Sequence, residues 1–350
     1  SIIVKSLMSI SEKHPIPRAE NIAMFKSNTG NIHDSRIIQG VAFRRRVLMD
    51  SLPNKLSDVK VAVISGDIKI RKMTRTAEIQ ITSADQLEAF VDAEQDRKNS
   101  ISQSLVDSGA SLVLCGREID RDILHNLADN NILAIGELDS SEVENSASAT
   151  GAKIVDSIAD IEIKDLGFCG SVLWERNEAS DMVEDIIRID GCKKPGLVTI
   201  EVGGAGEIAT EEIIRGLHDG LRAVSLAIED QEILPGGGAI HSRIANAVRT
   251  SSESEPGRAR LAMEAFSRAM ETIPGALVEN SGNDVLDSIL ELRAATRNQE
   301  HFMGINENGK ISVIDRAWHP RTVITESLQL ACETTIGMLR IDQVISSRGD

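Results

Sequence analysis

A glycine-rich segment offers the clearest candidate for binding a phosphorylated ligand. The sequence LPGGGA (234–239) places Gly236, Gly237 and Gly238 directly before an apolar pattern with helical spacing. Glycine lets a backbone approach a ligand closely, and the amino end of a helix presents unpaired N–H groups to an anion. A plain turn between two helices would need the same glycines, so this motif alone leaves both interpretations open.

Asp219 is a candidate catalytic carboxylate. It lies in GLHDGL (216–221), within a stripe of apolar residues whose spacing predicts a helix. Asp219 falls opposite that apolar stripe, and so does His218 beside it. Periodicity therefore favours solvated side chains at both positions over a catalytic role.

Three further polar segments could contribute contacts to a ligand. NSGND (280–284) is typical of a helix start with a capping Asn or Asp. GINENG (304–309) predicts a tight turn, and the amides around Asn306, Glu307 and Asn308 could hold the edge of a base, although a structural turn is the simpler interpretation. His319, in WHP (318–320), precedes a predicted helix and is more typical of a surface or capping residue than of a ligand.

The predicted secondary structure that must position these residues differs between the two halves of the chain. Up to about residue 197, short β-branched runs predict strands at 59–65, 77–81, 111–115 and 132–136, and helices are predicted at 83–108, 120–130 and 140–150. Such alternation indicates an α/β domain. From residue 205 onward, apolar stripes at 213–228, 261–273, 283–296 and 323–340 predict a helical bundle, with one hairpin strand at 310–314.

Composition limits the classes of partner. The 350 residues contain 54 acidic and 38 basic side chains, a net charge of −16, which disfavours nucleic acid and anionic membranes as general partners. The four cysteines are far apart and form no C-x-x-C pair, which argues against a thiolate metal site and favours a reducing, intracellular compartment. No apolar run is long enough for a membrane span, and Lys5 and Ser6 interrupt the apolar start, unlike a signal peptide.

Several collinear segments resemble the group II chaperonins, the thermosome or TCP-1 type found in archaea and the eukaryotic cytosol. IEDQEILPGGGAIHSRIA (228–245) is similar to the entry into the lower ATP-binding domain, and ACETTIGMLRIDQVI (331–345) is similar to the last helix and strand. Residues 262–295 match the intervening helices. DSRIIQGVAF, AEIQITSADQLEAF and ADNNILAIGELDSSEVENSASATGAKIV are similar to the substrate-binding apical domain.

The resemblance implies a multidomain chaperonin of the α/β plus all-α class. Residues 1–26 and 198–230 would form a small intermediate domain. Residues 27–197 would form an α/β apical domain with a helical lid protrusion near 70–105, in which Leu87, Phe90 and Val91 could contact a neighbour or a client. Residues 231–350 would form the helical C-terminal half of the equatorial domain. Two apical helices, 119–130 and 140–150, would face clients, unless Ile123, Leu124, Leu127 and Val143 pack inward.

The resemblance also assigns site residues. Asp219 corresponds to the carboxylate that positions the attacking water in ATP hydrolysis, with Mg²⁺ bridging the phosphate oxygens. Gly236, Gly237 and Gly238 correspond to nucleotide-contact glycines, and Asn306, Glu307 and Asn308 to the turn against the adenine. His319 stands where the family has an acidic ribose contact. The implied partners are unfolded proteins and identical or paralogous subunits in a cytoplasmic double ring, with no nucleic acid and no membrane.

The chain departs from the family pattern in ways that leave alternatives. Val202 replaces an arginine before two glycines, and Gly220 replaces an alanine, which weakens that helix by about 1 kcal/mol. The family's phosphate-binding Gly-Asp-Gly-Thr-Thr segment is absent from the 350 residues. With the non-Met start, this favours a fragment of a longer ATP-hydrolysing subunit over a shortened paralogue. A nucleotide-independent client-binding module stays open, whereas an unrelated small-molecule enzyme has little support.

Overall fold

The computed structural model of the chain describes residues 2–27, 30–47, 54–70, 84–177, 184–204, 206–297 and 301–341. The chain divides into two compact units, Ser1–Arg222 and Ala223–Asp350. The strand predicted at 77–81 and much of the predicted protrusion lie outside the described residues.

A small three-stranded sheet, which the sequence did not predict, brings together distant parts of the first unit. Its strands are β1 (Ile22–Lys26), β2 (Arg36–Ile38) and β10 (Val198–Val202), in the order β1-β10-β2. β10 runs parallel to β1 and antiparallel to β2. Helix α1 (Ile2–Ile10) packs against this sheet and buries Leu7 and Ile10 completely. Every residue of β10 is buried, as expected for a strand covered on both faces.

A larger mixed sheet forms the rest of the first unit. Its described strands are β3 (Val41–Arg44), β4 (Lys55–Ile64), β5 (Leu112–Cys115), β6 (Leu133–Ile135), β7 (Ile154–Val155), β8 (Gly167–Asn177) and β9 (Glu184–Asp190). The order is β3-β9-β8-β4-β5-β6, and β7 pairs with the end of β4. β4, β5 and β6 are parallel to one another, whereas β8 runs antiparallel to β4 and β9.

Helices cover both faces of the parallel part of this sheet. They are α2 (Ala84–Ser108), α3 (Arg121–Asp129) and α4 (Ser140–Thr150). Ala62 and Ile64 of β4 share one core with α2 and α3, and Val61 and Val63 share another core with α4. Because successive strand residues point to opposite faces, α3 and α4 lie on opposite sides of the sheet. The chain therefore changes face after β6.

The four apolar residues whose direction was left open all pack inward. Ile123, Leu124 and Leu127 belong to the core under α3, and Val143 belongs to the core under α4. None keeps more than 4% of its surface exposed. The alternative in which these side chains offer an apolar client surface is therefore wrong. The hydrophobic contribution of burying such side chains, about 1.5 to 3 kcal/mol each, explains the preference.

The chain crosses between the two sheets twice, and the crossings touch. One crossing lies at Gly40, between β2 and β3, and the other at residues 191–197, between β9 and β10. The N–H of Cys192 donates to the carbonyl of Gln39 at 2.9 Å. A Cβ on Gly40 would lie 2.1 Å from the carbonyl oxygen of Ile189, so only glycine fits this crossing.

The second unit is mainly helical, as predicted. Helix α5 (Glu207–Asp230) begins in the first unit, and its last eight residues belong to the second unit, which continues with α6 (Ala239–Ser252), α7 (Arg258–Asn280), α8 (Val285–Thr296) and α9 (Arg321–Leu339). Two strand pairs connect them: β11 (Ile233–Pro235) with β14 (Trp318–Pro320), and β12 (Met303–Ile305) with β13 (Ile311–Val313). The hairpin strand expected at 310–314 is thus confirmed. Within α7, the buried Glu271 carboxylate accepts hydrogen bonds from Arg249 of α6 and Arg293 of α8, and so joins three helices.

Candidate functional site

The triple-glycine turn, residues 236–238, is held tightly between three neighbouring segments. The N–H of Gly236 donates to the carbonyl of Ala317 at 2.8 Å, and Ile305 donates to the carbonyl of Gly237 at 2.7 Å. Gly237 and Gly238 have φ of 58° and 71°, in the left-handed region that favours glycine. A Cβ on Gly238 would lie 2.7 Å from Cβ of Pro274. The structure of this turn therefore requires glycine at positions 237 and 238.

The same turn leads into helix α6, whose amino end has no side-chain cap. Gly238 occupies the cap position, where glycine has no side chain to accept from the helix N–H groups. The hydroxyl of Ser242 donates to the carbonyl of Gly238 at 3.0 Å and so binds an acceptor rather than the amides. An uncapped helix start carries partial positive charge and can satisfy its N–H groups with the oxygens of an anion.

His319 lies beside the turn. Strand pairing places it opposite Leu234, and its Nε2 atom is 3.1 Å from the position that a Cβ on Gly236 would occupy. The first turn of α6 adds His241, which the sequence analysis missed. Burial lowers the pKa of His241, and the neighbouring His319 lowers it further. The Nδ1 atom of His241 is buried and has no hydrogen-bond partner among the residues that the structure describes.

The turn at residues 306–308 reaches the glycines through β12. The side-chain oxygen of Asn306 accepts from the N–H groups of Asn308 and Lys310, both at 3.0 Å. Asn306 therefore closes its own turn, which supports the structural interpretation for this side chain. Glu307 and Asn308 are exposed. Because Ile305 is bonded to Gly237, this turn, the glycines and His319 belong to one region of the second unit.

Asp219 belongs to the first unit, on the solvent side of α5. Its side chain is 69% exposed, and Arg215 Nη1 lies 3.5 Å from its Oδ2. The periodicity of the sequence predicts this exposure. Arg215, which also pairs with Glu212, was missed, although its position four residues before an aspartate is the signal for such a helical pair. Convergence of Asp219 with the glycine turn remains a prediction.

Other candidate groups have structural explanations. Asp284 caps α8 by accepting from the N–H of Asp287 at 2.9 Å, as its motif predicted. Burial raises the pKa of Cys115 to about 11 and those of Cys169 and Cys192 to about 12, so these thiols are poor nucleophiles. In the described ranges, no cluster of three or more His, Cys, Asp or Glu side chains could hold a metal ion.

Two exposed apolar residues lie on the long helix α2 of the first unit. Phe90 is 46% exposed and Val91 55% exposed, so both are available for contact. The side chain of Leu87, predicted alongside them, lies outside the described part of the chain. Among the described helices, none combines the length and apolar character that crossing a lipid bilayer requires.

Comparison with known proteins gives a consistent family over the whole chain. The model of the TCP-1/cpn60 chaperonin family matches residues 1–348. The thermosome subunit alpha of Archaeoglobus fulgidus is 32% identical over 100% of this chain and 64% of its own length. The thermosome subunit beta of Methanothermobacter thermautotrophicus is 33% identical over 99% of this chain and 64% of its own length. The chain thus spans just under two thirds of these relatives.

A solved structure shows the same fold. The open-state monomer of a group II chaperonin from Methanococcoides burtonii superposes with a TM-score of 0.64. The match covers 97% of this chain and 79% of that chain, at 24% sequence identity. The α/β and helical halves predicted from the sequence agree with this architecture, whereas the four predicted domain boundaries stay predictions.

Proposed function

Because the chain belongs to the TCP-1/cpn60 chaperonin family, we propose that it acts in an ATP-driven protein-folding chaperone. Its first unit would bind unfolded proteins, and its second unit would bind the nucleotide. The observation that carries this proposal is the uncapped start of α6 behind the triple-glycine turn, with His319 beside Gly236. This arrangement provides backbone donors for an anion and an imidazole next to them.

The residues of the second unit fit a nucleotide in specific ways. The N–H groups of Ile240 and His241 at the start of α6 would bind phosphate oxygens, since the helix dipole favours negative charge there, whereas the N–H of Ala239 already donates to the carbonyl of Gly236 at 3.0 Å. His319 would contact the ribose, and the exposed part of the turn at residues 306–308 would lie against the base. When bound, ATP supplies the transferable phosphoryl group, and Mg²⁺ neutralises its charge.

Asp219 would orient the water that attacks the terminal phosphate. Its exposure leaves the carboxylate free to approach a ligand, and Arg215 restricts its direction through the ion pair at 3.5 Å. Positioning and charge stabilisation are what phosphoryl transfer demands of a protein. Hydrolysis would drive closure of the lid over the client, as the family resemblance implies.

The proposed partners follow from the family. Unfolded proteins would be the clients, and identical or paralogous subunits would complete a double ring in the cytoplasm. The exposed Phe90 and Val91 on α2 are suited to contact a neighbouring subunit or a client.

A second candidate is a client-binding module that works without nucleotide turnover. It is favoured by Asn306, whose side chain is occupied within its own turn rather than free to bind a base. In this case the first unit would hold unfolded proteins by itself, and the glycine turn would serve only the packing of α6 against α7.

Calorimetry and phosphate release with MgATP distinguish the two candidates. In a full-length subunit that includes the family's phosphate-binding segment, the Asp219→Ala variant should still bind ATP but lose turnover by about a hundredfold or more, because it lacks the group that positions water. Glu229→Ala removes an exposed carboxylate from the same helix and should leave turnover unchanged. Equal hydrolysis by Asp219→Ala and wild type would refute the role of Asp219. Protection of a denatured protein from aggregation, without ATP binding, would support the second candidate.

A further inference from the structure

A crevice in the first unit lies where the parallel strands β5 and β6 end. After β5 the chain turns to α3 on one face of the sheet, and after β6 it turns to α4 on the opposite face. Diverging connections of this kind leave a cleft at the carboxyl ends of the strands, the usual place for ligands in open α/β sheets. The cleft found here has a volume of about 630 Å³, within the range of ligand sites.

The crevice has an apolar floor and a basic rim. Ile119, Leu124 and Ala134 line it below, and its rim carries the side chains of Arg45, Arg46 and Arg121, with His125 beside them. A concentration of arginines is unusual for a chain with a net charge of −16. Arginine presents a planar fork of donors that matches a carboxylate in two parallel hydrogen bonds.

Ion pairs inside the chain use only part of this positive charge. Arg45 donates to Glu142 at 2.5 Å and to the carbonyl of Glu137 at 3.0 Å. These bonds hold the Arg45 side chain in one position at the side of the crevice. Glu118, one of two acids on the rim, pairs with Lys69 at 3.3 Å outside the crevice. Arg46 and Arg121 are exposed and have no ion-pair partner among the described residues. Glu137 is the other acidic residue that lines the crevice.

We propose that this crevice binds segments of unfolded proteins in which an acidic side chain neighbours an apolar one. Arg46 and Arg121 would bind the carboxylate, and the apolar side chain would contact Ile119, which keeps part of its surface exposed, whereas Leu124 and Ala134 are buried and only close the crevice from below. Because Ile123, Leu127 and Val143 are buried, α3 and α4 cannot select clients by those apolar residues. Charge complementarity then decides which segments bind. This inference rests on the proposed client-binding function and names its substrate class.

Fluorescence anisotropy with two labelled peptides tests the assignment on the full chain. One peptide alternates leucine with aspartate, and the other alternates leucine with lysine. The acidic peptide should bind the wild type more tightly, and the Arg46→Glu/Arg121→Glu variant should weaken it by about tenfold or more. The matched control is Arg258→Glu/Arg268→Glu, which makes the same charge change at two exposed positions of α7 and should bind like wild type.

Each outcome bears on the proposal. Equal binding of the acidic peptide by both charge-reversed variants overturns it, because the effect would then come from net charge or from elsewhere. Displacement by acetate at concentrations similar to that of the peptide also overturns it, since the crevice would then take free carboxylates. Circular dichroism verifies that the variants are folded. If the chain protects a denatured protein from aggregation while the crevice variant does so equally well, the chaperone proposal survives and only the crevice assignment fails.

Discussion

Replacing Glu201 with glutamine should weaken the junction between the two sheets of the first unit. Glu201 of β10 binds Arg188 of β9 through Nη2 at 2.7 Å and Nε at 3.1 and 3.2 Å. Arg36 of β2 donates to the same carboxylate at 2.8 Å. The side chains of Arg188 and Glu201 are only 9% and 5% exposed. Glu201→Gln therefore leaves a buried guanidinium without its principal counter-charge.

The magnitude follows from burial and from the remaining partners. Removing one member of a buried ion pair typically costs 3 to 5 kcal/mol, and we expect about 3 kcal/mol here because Arg188 keeps Glu175 at 2.6 Å. Burial alone would raise the pKa of Glu201, but hydrogen bonds from Arg188 and Arg36 outweigh it and lower the pKa. A lowered pKa means that the pair stabilises the fold above the unfolded-state pKa, near 4.5, and that this contribution is lost as pH falls below it.

Urea unfolding followed by tryptophan fluorescence measures the effect. The chain has two tryptophans, so a Trp318→Phe background leaves Trp174 of β8 as a reporter of the first unit. Glu211→Gln is the matched control, because Glu211 is 66% exposed and 3.7 Å from Lys26, and its loss should cost less than about 1 kcal/mol. The reasoning fails if both variants unfold alike at pH 7, or if the difference between them does not shrink below pH 4.5.

Three further predictions concern the second unit and the thiols. Glu271→Gln should lower the free energy of unfolding by about 2 to 3 kcal/mol, measured by urea in a Trp174→Phe background where Trp318 reports, since its carboxylate joins three helices; an unchanged urea midpoint contradicts this. Gly238→Ala should lower the free energy of unfolding by about 2 kcal/mol or more, because Gly238 has a φ of 71°. Gly216→Ala should instead stabilise α5 by up to about 1 kcal/mol, because a Cβ at Gly216 has nothing within 4 Å. Similar melting temperatures for the two variants would refute the difference. Only Cys332, which is partly exposed, should react rapidly with a thiol reagent at neutral pH, as mass spectrometry can show; rapid labelling of any buried cysteine would be contrary evidence.

Local patterns in the sequence anticipated the elements that depend on local spacing. The helices around residues 121–129 and 140–150 follow from apolar periodicity and from capping aspartates, Asp120 and Asp139. The small sheet was missed because its strands β1 and β10 pair residues as far apart as Ile22 and Val198. A pattern within a short stretch of sequence cannot predict a pairing between residues so far apart.

In the candidate site, too, local features were predictable from the sequence and long-range contacts were not. The left-handed conformation at Gly237 and Gly238 is what their residue type permits, and the turn at Asn306 is what its Asn and Gly content predicts. The contact of His319 with Gly236 depends on β11 pairing with β14, about eighty residues later. The sequence could therefore indicate His319 only through the family resemblance, and it gave no indication of His241.

The two touching crossings at Gly40 and Cys192 make the larger sheet one contiguous insert in the chain of the smaller sheet. Its entry and exit points are joined by one backbone hydrogen bond of 2.9 Å, so cutting the chain there would leave neighbouring termini. Adjacent termini are the property that allows a domain to be transplanted. Residues 41–190 can accordingly be exchanged between relatives as one contiguous cassette, provided that Glu201 and Arg36 outside it still match Arg188 inside it.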